Sequence, residues 1–529
     1  MLLRRMALAL LVVACTALPA AAQTEGGVLR FYHRDNPPSA SIHEEATIST
    51  AQPFMPVFNN LFIFNQSVAR ATAEDLTPEL ATSWAWNEDR TRLTLQLRQG
   101  VKWHDGKPFT AADVKCTWDT VTGRRNAGWR KSPRRGWYAN LQEVATNGDH
   151  EVTFVLGRPQ PSFMSILASG LSPVYPCHVD GRVMRQAPIG TGPFRVVEFR
   201  PNSHIRLARN PDYWRQGRPH MDGLEWRIIR NRSTRNLAFV AGDVDASFPY
   251  EISPAVLREI RAQAPRAQCV MTPTNVATQL LINREAAPFD NADVRRAVAL
   301  ALDRKALIDI MSEGEAVLSG IFLPPPNGAW GLAPEQLRDA PGYGRSVEEN
   351  REEARRIMRG LGYSAERPLR IKVATREIPS YRDPAVVVID HLKSIFIEGT
   401  LDIQDTSIWY TTMTRKAFGL AVNQSGLGLD DPDTVLYEGF ACGSERNYEN
   451  YCNREVEQRM EQQSATLDQD ARRRMVQEID MILQRDVARP MLFHGAGGTC
   501  WHPHVRGITV GVNSIYNHWR MEDAWLAPR

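Results

Sequence analysis

Leu97-Arg98-Gln99-Gly100-Val101-Lys102-Trp103-His104-Asp105-Gly106, continuing to Val114, is the most informative stretch of the chain. Just before it, Leu93, Leu95 and Leu97 alternate with polar residues, the period of a half-buried strand. Asp105-Gly106 is a tight-turn signal, because both residue types tolerate positive φ. Thr110-Ala111-Ala112-Asp113 resembles a capping box with Asp in place of Glu, so a helix is predicted to start there. A structural role accounts for Trp103 and His104 as well. Upstream, Val28 to Tyr32 reads as a strand, followed by a polar, proline-containing loop from Arg34 to Ser39. Downstream, Val294, Ala297, Val298, Ala301 and Leu302 keep one helix face apolar. Ser346-Val347-Glu348-Glu349 caps a second helix, continued by Ala354, Ile357, Met358 and Leu361 and ended by Gly360 and Gly362. Met475, Ile479, Ile482 and Leu483 stripe a third. Short β-branched runs, Leu280 to Asn283 and Leu369 to Ala374, lie between them, so the class is mixed α/β. Pro324-Pro325-Pro326 reads as a rigid turn.

At 529 residues the chain exceeds what one core supports, roughly 250–300 residues, so at least two lobes are expected. Hydrophobic residues at 43% and charged residues at 23% exclude a disordered, collagenous or coiled-coil chain. Lys+Arg is 63 against Asp+Glu 60, a net charge of +3 that attracts no polyanion in bulk, and nucleic acid is not an expected partner. The mean hydropathy is -0.36. Only the N-terminus carries an apolar run of note. Arg4 and Arg5 precede the short apolar segment Met6 to Ala14, Pro19 breaks it, and Ala20-Ala21-Ala22 fits a cleavage site. This predicts an export signal over 1–22, with the mature chain starting at Gln23 in the periplasm. In the alternative, Val12-Val13-Ala14-Cys15 acts as a lipoprotein box and leaves Cys15 lipidated. Export turns cysteine pairs into disulfides. Cys442 and Cys452 flank a short polar loop and are expected to be bridged. Spacing leaves the pairing of Cys116, Cys177, Cys269 and Cys500 open.

Motifs for chemistry are few. No phosphate-cradling G-x-x-x-x-G-K-[ST], no H-E-x-x-H and no G-x-S-x-G occurs. Gly190-Thr191-Gly192 and Gly426-Leu427-Gly428 are isolated glycine pairs. His494, Cys500, His502 and His504 are the best metal candidates, but Pro503 argues for an irregular segment, and no metal or other cofactor is expected. Asp430, Asp431 and Asp433 offer carboxylates for an exported hydrolase. The preferred reading is a helix start with Asp431 as N-cap and Pro432 at N1. Arg124, Arg125, Arg130, Lys131, Arg134 and Arg135, interleaved with Trp129 and Trp137, read as a solvated loop or a contact with anionic lipid or a membrane partner.

Several motifs recur in a family order. Leu76-Thr77-Pro78-Glu79-Leu80-Ala81-Thr82-Ser83-Trp84, the Leu97–Val114 stretch and Pro188-Ile189-Gly190-Thr191-Gly192-Pro193-Phe194 come first. Arg209-Asn210-Pro211-Asp212-Tyr213-Trp214 and Gly242-Asp243-Val244-Asp245 follow. Asn283, Pro288-Phe289-Asp290, Val294-Arg295-Arg296-Ala297 and Ala301-Leu302-Asp303-Arg304 complete the set. Together they resemble family 5 of the extracellular solute-binding proteins, the dipeptide/oligopeptide/nickel-binding subunits of ABC importers. The resemblance implies a type II two-lobed periplasmic binding clamp of the large peptide-binding class, with an extra subdomain in the first lobe. It places lobe I at 23–58, 190–282 and 494–529, the subdomain at 59–189 and lobe II at 283–493, with crossings near Leu280–Asn283 and Arg489–His494. It implies a monomer that captures a small solute, a peptide first, and delivers it to an inner-membrane permease without catalysis. Nickel complexes, opines and sugars are the alternatives. The expected ligand site is Trp409, Tyr410, Asn423, Ser425, Asp430, Asp431 and Asp433. Peptide binders of the family hold the α-amino group with an Asp just upstream of the D-P-D segment. Here the aligned position is glycine or leucine. The Cys442–Cys452 loop resembles the disulfide loop of dipeptide-type members.

Overall fold

The computed structural model describes residues 23–125, 128–426, 428–512 and 514–529. The segment 1–22, with Cys15 and the export signal, lies outside the described residues, as does Leu427.

The Leu97 region folds as its pattern predicts. Strand Arg92–Leu97 buries Leu93, Leu95 and Leu97 and leads through a turn with Gly106 at φ 85° into helix Ala111–Val121. The Asp113 carboxylate accepts the Thr110 N–H (2.9 Å) and the Trp103 indole N–H (3.2 Å), so the capping residue also anchors the buried tryptophan. His104 bonds the Gly192 carbonyl at 3.0 Å. Gly190 and Gly192 permit this docking, because a Cβ on Gly190 would lie 1.9 Å from the Val57 carbonyl oxygen.

Two lobes share the chain. The first is built on a four-stranded sheet in the order Val28–His33, Gly223–Ile228, His204–Arg209, Phe194–Arg200. Its subdomain is a second, antiparallel sheet in the order Ala81–Trp86, Arg92–Leu97, Glu151–Leu156, Leu141–Thr146. The second lobe holds a five-stranded mixed sheet: Ile397–Gln404, Leu369–Arg376, Leu420–Gly426, Gln268–Ile282, Met491–Trp501. Their cores are separate. One draws on Leu29 to Ile260 and again on Cys500 to Ala524, joined by Leu429; another lies wholly within Leu280 to Phe493.

Two long strands run through both lobes. Gln268–Ile282 and Met491–Trp501 lie antiparallel, with Cys269 opposite Cys500 at the first-lobe end, where Ala246 bridges Trp501. From Val276 onward the first of them pairs with Leu420–Gly426 in the second-lobe sheet. The register between the two shifts between Pro273 and Ala277. A local break of this kind interrupts the ladder and gives a paired ribbon a place to bend.

All six described cysteines pair: Cys116–Cys177, Cys269–Cys500 and Cys442–Cys452. The basic stretch is solvated at Arg124, Arg130, Lys131 and Arg135 and turns inward at Arg134. Arg134 is buried and donates to the carbonyls of Ile42 and Glu45, Arg124 to that of Leu141, and Arg125 to that of Cys177. These three guanidinium groups satisfy backbone oxygens, the Arg134 group within the fold and the other two nearer its surface. No helix among the described residues is long and apolar enough to cross a membrane.

Candidate functional site

A cleft of about 310 Å³ opens between the lobes. Arg34, Tyr250 and Tyr516 line it from the first lobe, and Tyr381, Gln424 and Phe493 from the second. The walls are the ends of strands and the loops that follow them, where α/β sheets place ligands. Tyr250, the residue that turns the chain into the wall Ile252–Ala255, has φ 57°, a left-handed conformation uncommon for a bulky side chain. The walls meet at Gly426. A Cβ there would lie 2.4 Å from the Tyr516 ring, so only glycine lets the two lobes approach this closely. Leu427, its neighbour, is outside the described residues.

Side chains bridge the lobes on both sides of the cleft. Arg376 reaches Asp35 at 2.8 Å, and the Thr406 hydroxyl donates to the same carboxylate at 2.7 Å. Across the subdomain, the Trp137 indole donates to the Thr434 carbonyl (3.0 Å), Arg158 to the Tyr437 hydroxyl (2.6 Å) and Ser162 to Asp433 (2.6 Å). The clamp is closed.

The seven expected ligand residues fall into three groups. Trp409 has no exposed surface and packs with Leu281, Ala374, Met413, Phe418 and Ala421. Its neighbour Tyr410 packs against the edge of the same cluster: its hydroxyl donates to the Ala46 carbonyl (3.3 Å) and its ring lies 5.6 Å from the Arg376 guanidinium. Burial raises its hydroxyl pKa to about 12. Asn423 is buried in the strand opposite Gln279, and Ser425 accepts from the Gln279 amide at 2.6 Å and lines a small side cavity next to Gly426. Gln424, between them, faces the main cleft.

The three carboxylates are engaged elsewhere. Asp431 caps helix Pro432–Gly439 by accepting the Asp433 N–H (3.0 Å), and Arg472 grips it with both Nη atoms at 2.8 and 2.9 Å. Asp433 has no exposure and takes Gln160, Ser162, Gln463, Ser464 and Arg472 at 2.6–3.2 Å. Asp430 accepts the Ala329 N–H (3.0 Å) and lies 3.8 Å from Arg70; burial raises its pKa to about 7. None of the three lines the main cleft. The preferred helix-start reading of Asp431-Pro432 is what the chain adopts, with Asp431 and Asp433 both held by Arg472. Cys500 is in a disulfide, His502 bonds the Phe239 carbonyl (2.8 Å), His504 bonds Asp245 (2.9 Å) and His494 bonds Ser319.

The residues that reading by pattern missed are Arg34, Tyr250, Tyr381 and Tyr516. Their only local signal was an Arg-Asp pair directly after an apolar strand. Nothing in the spacing ties Arg34 to Glu251, its partner at 3.1 Å.

A two-lobed α/β clamp whose lobes close over a cleft lined from both sides, and joined by paired crossing strands, defines a solute-binding protein. The model of the bacterial extracellular solute-binding proteins, family 5 (middle), matches residues 75–447, and the chain belongs to that family. It is similar to the periplasmic oligopeptide-binding protein OppA of Haemophilus influenzae, 24% identical over 461 residues, covering 82% of this chain and 83% of the relative. The crystal structure of that H. influenzae protein with the peptide RPPGFSPFR superposes with a TM-score of 0.84 at 20% identity, over 96% of this chain and 99% of the other. The binding protein AgaA of A. tumefaciens R10, in complex with agropinic acid, superposes with a TM-score of 0.82 at 20% identity, over 95% and 99%.

Proposed function

We propose that this chain is the periplasmic substrate-binding subunit of an ABC importer, a monomer that captures a small solute, a peptide first, and hands it to an inner-membrane permease. The observation that carries the proposal is the closed interlobe cleft, walled by Arg34, Tyr250 and Tyr516 on one side and Tyr381, Gln424 and Phe493 on the other. A solute held this way touches both walls only when the lobes meet, so it favours the closed form by its differential affinity. If open and closed forms start at about 99:1, reversing them requires roughly 5.5 kcal/mol of that difference. The crossing strands supply the hinge, and the register break near Pro273 faces Ala496 across the ribbon. Family relatives named for oligopeptides support the peptide reading. Small-angle scattering and thermal shift across a di- and tripeptide library test it. A binding peptide contracts the radius of gyration, raises the melting point and is recovered uncut by mass spectrometry. A saturating peptide that leaves the radius unchanged removes the clamp mechanism, and a cleaved peptide makes the chain a hydrolase.

A further inference from the structure

Every carboxylate that lines the cleft or the cavity beside it is already held by arginine. Glu251 takes Arg34 at 3.1 Å and Arg235 at 2.7 Å. Asp383 takes Arg232 at 3.4 Å and Arg382 at 2.8 Å, Glu313 takes Arg258, and Glu377 takes Arg230 at 2.6 Å. Asp35 takes Arg376 at 2.8 Å with hydroxyls of Thr406 and Ser49 at 2.7 and 2.5 Å. A ligand amine would have to displace a guanidinium to find a counter-charge, and Asp430, nearest to where the family places its amine-binding Asp, does not line the cleft.

The cations are in a different position. Three buried guanidinium groups, those of Arg34, Arg235 and Arg376, share two buried carboxylates, Glu251 and Asp35. His33, also against Asp35, is held neutral by burial, which lowers its pKa. One positive charge is left over. Arg34 is 8% exposed, yet it lines both the cleft and an adjoining cavity of about 350 Å³. Its Nε has no hydrogen-bond partner and lies 4.0 Å from Asp35. The adjoining cavity is walled by the N-terminus of helix Arg232–Val240, with Asn231, Arg232 and Ser233 all on its surface, and by Arg230 and Arg382. A helix N-terminus presents free N–H groups and a positive dipole end. A buried, incompletely paired guanidinium is costly until an anion reaches it.

We infer that the solute carries a carboxylate, seated where the two cavities meet against Arg34, Arg232 and the start of helix Arg232–Val240, with its apolar body on Ile48, Ile252, Phe493 and Ile515. No free α-amine is needed. The inference rests on the cleft being the solute site, and it restricts the peptide reading to ligands anchored by their acid end.

Calorimetric titration of the full secreted chain tests it. The panel is Leu-Leu-Leu as free peptide, N-acetylated, C-amidated and capped at both ends, with 4-phenylbutyrate and 4-phenylbutylamine as non-peptide probes. N-acetylation leaves binding nearly intact, and C-amidation weakens it about tenfold or more, the size of a lost hydrogen bond to a charged group. Arg34→Gln removes the difference between acid and amide. Arg232→Gln, at a partly exposed position that keeps the fold safe, reduces it in the same direction. Loss on N-acetylation without loss on amidation overturns the inference and leaves the peptide reading standing. Binding of phenylbutyrate, but of no peptide form and not of the amine, supports the inference and removes the peptide reading. Binding by no acid in the panel overturns it.

Discussion

Two clusters of charge sit on the lobe boundary and do different work. Asp430-Asp431-Pro432-Asp433 is dense in sequence, and its carboxylates are spent on the fold: one caps a helix, one pins the subdomain to the second lobe, one holds a loop. The Arg34 cluster is dispersed, Asp35 and Arg376 standing 341 residues apart, and it faces the cleft with a cation to spare. Local density of acids marked a helix start, whereas the cleft-facing charge was assembled from remote pieces of chain. Carboxylates next to one another in sequence repel, so they need cations and donors close by, here an Arg472 shared by Asp431 and Asp433, and a cluster committed to such partners inside the fold has none left for a solute.

The sharpest way to break the contrast is at Asp433. Asp433→Ala takes the buried acceptor from Ser162 and Ser464 and leaves Arg472 with the carboxylate of Asp431 alone, and removing one partner of a buried charge network costs about 3–5 kcal/mol. Urea unfolding measures this; a loss under 1 kcal/mol would show that the cluster is not structural. Trp409→Ala should cost a similar amount, about 3–5 kcal/mol for a core tryptophan, with solute affinity nearly unchanged in the fraction that stays folded. An affinity loss at constant melting point would return Trp409 to the cleft. Gly426→Ala drives a methyl into the Tyr516 ring, an overpacking of about 1–3 kcal/mol that falls on the closed form alone. Scattering should show a larger radius at saturating solute, and Tyr516→Ala in the same chain should restore closure.

The last effect is a pH dependence. Burial holds Asp430 at about 7, against 3.8 for the free group. The folded chain then keeps a proton that the unfolded chain releases, so this group's contribution is present below pH 4 and is lost as pH rises through 7. Asp430→Asn keeps an acceptor for the Ala329 N–H without the charge. Its stability relative to the parent should rise across that window, reaching about 4 kcal/mol at pH 7. A difference independent of pH would mean that Asp430 is ionised in the fold.

Much of the architecture was legible in short range. The alternation of Leu93, Leu95 and Leu97, the Asp105-Gly106 turn, the Thr110–Asp113 box and the Asp431-Pro432 helix start all reappear as read, because each is decided by backbone geometry and hydrogen bonds within a few residues. The Cys442–Cys452 pairing belongs to the same category, closing a loop of sequence separation 10. Tertiary structure alone decided that Trp409 turns into the core while adjoining Tyr410 reaches Ala46, and that a glycine at 426 meets a tyrosine at 516. It alone paired Cys269 with Cys500 and brought Glu251 between Arg34 and Arg235. Periodicity says which face of an element is apolar, but a strand or helix in a two-lobed protein has two apolar surfaces to meet, its own core and the opposite lobe. Which one a side chain finds depends on contacts hundreds of residues away, and no local pattern carries that information.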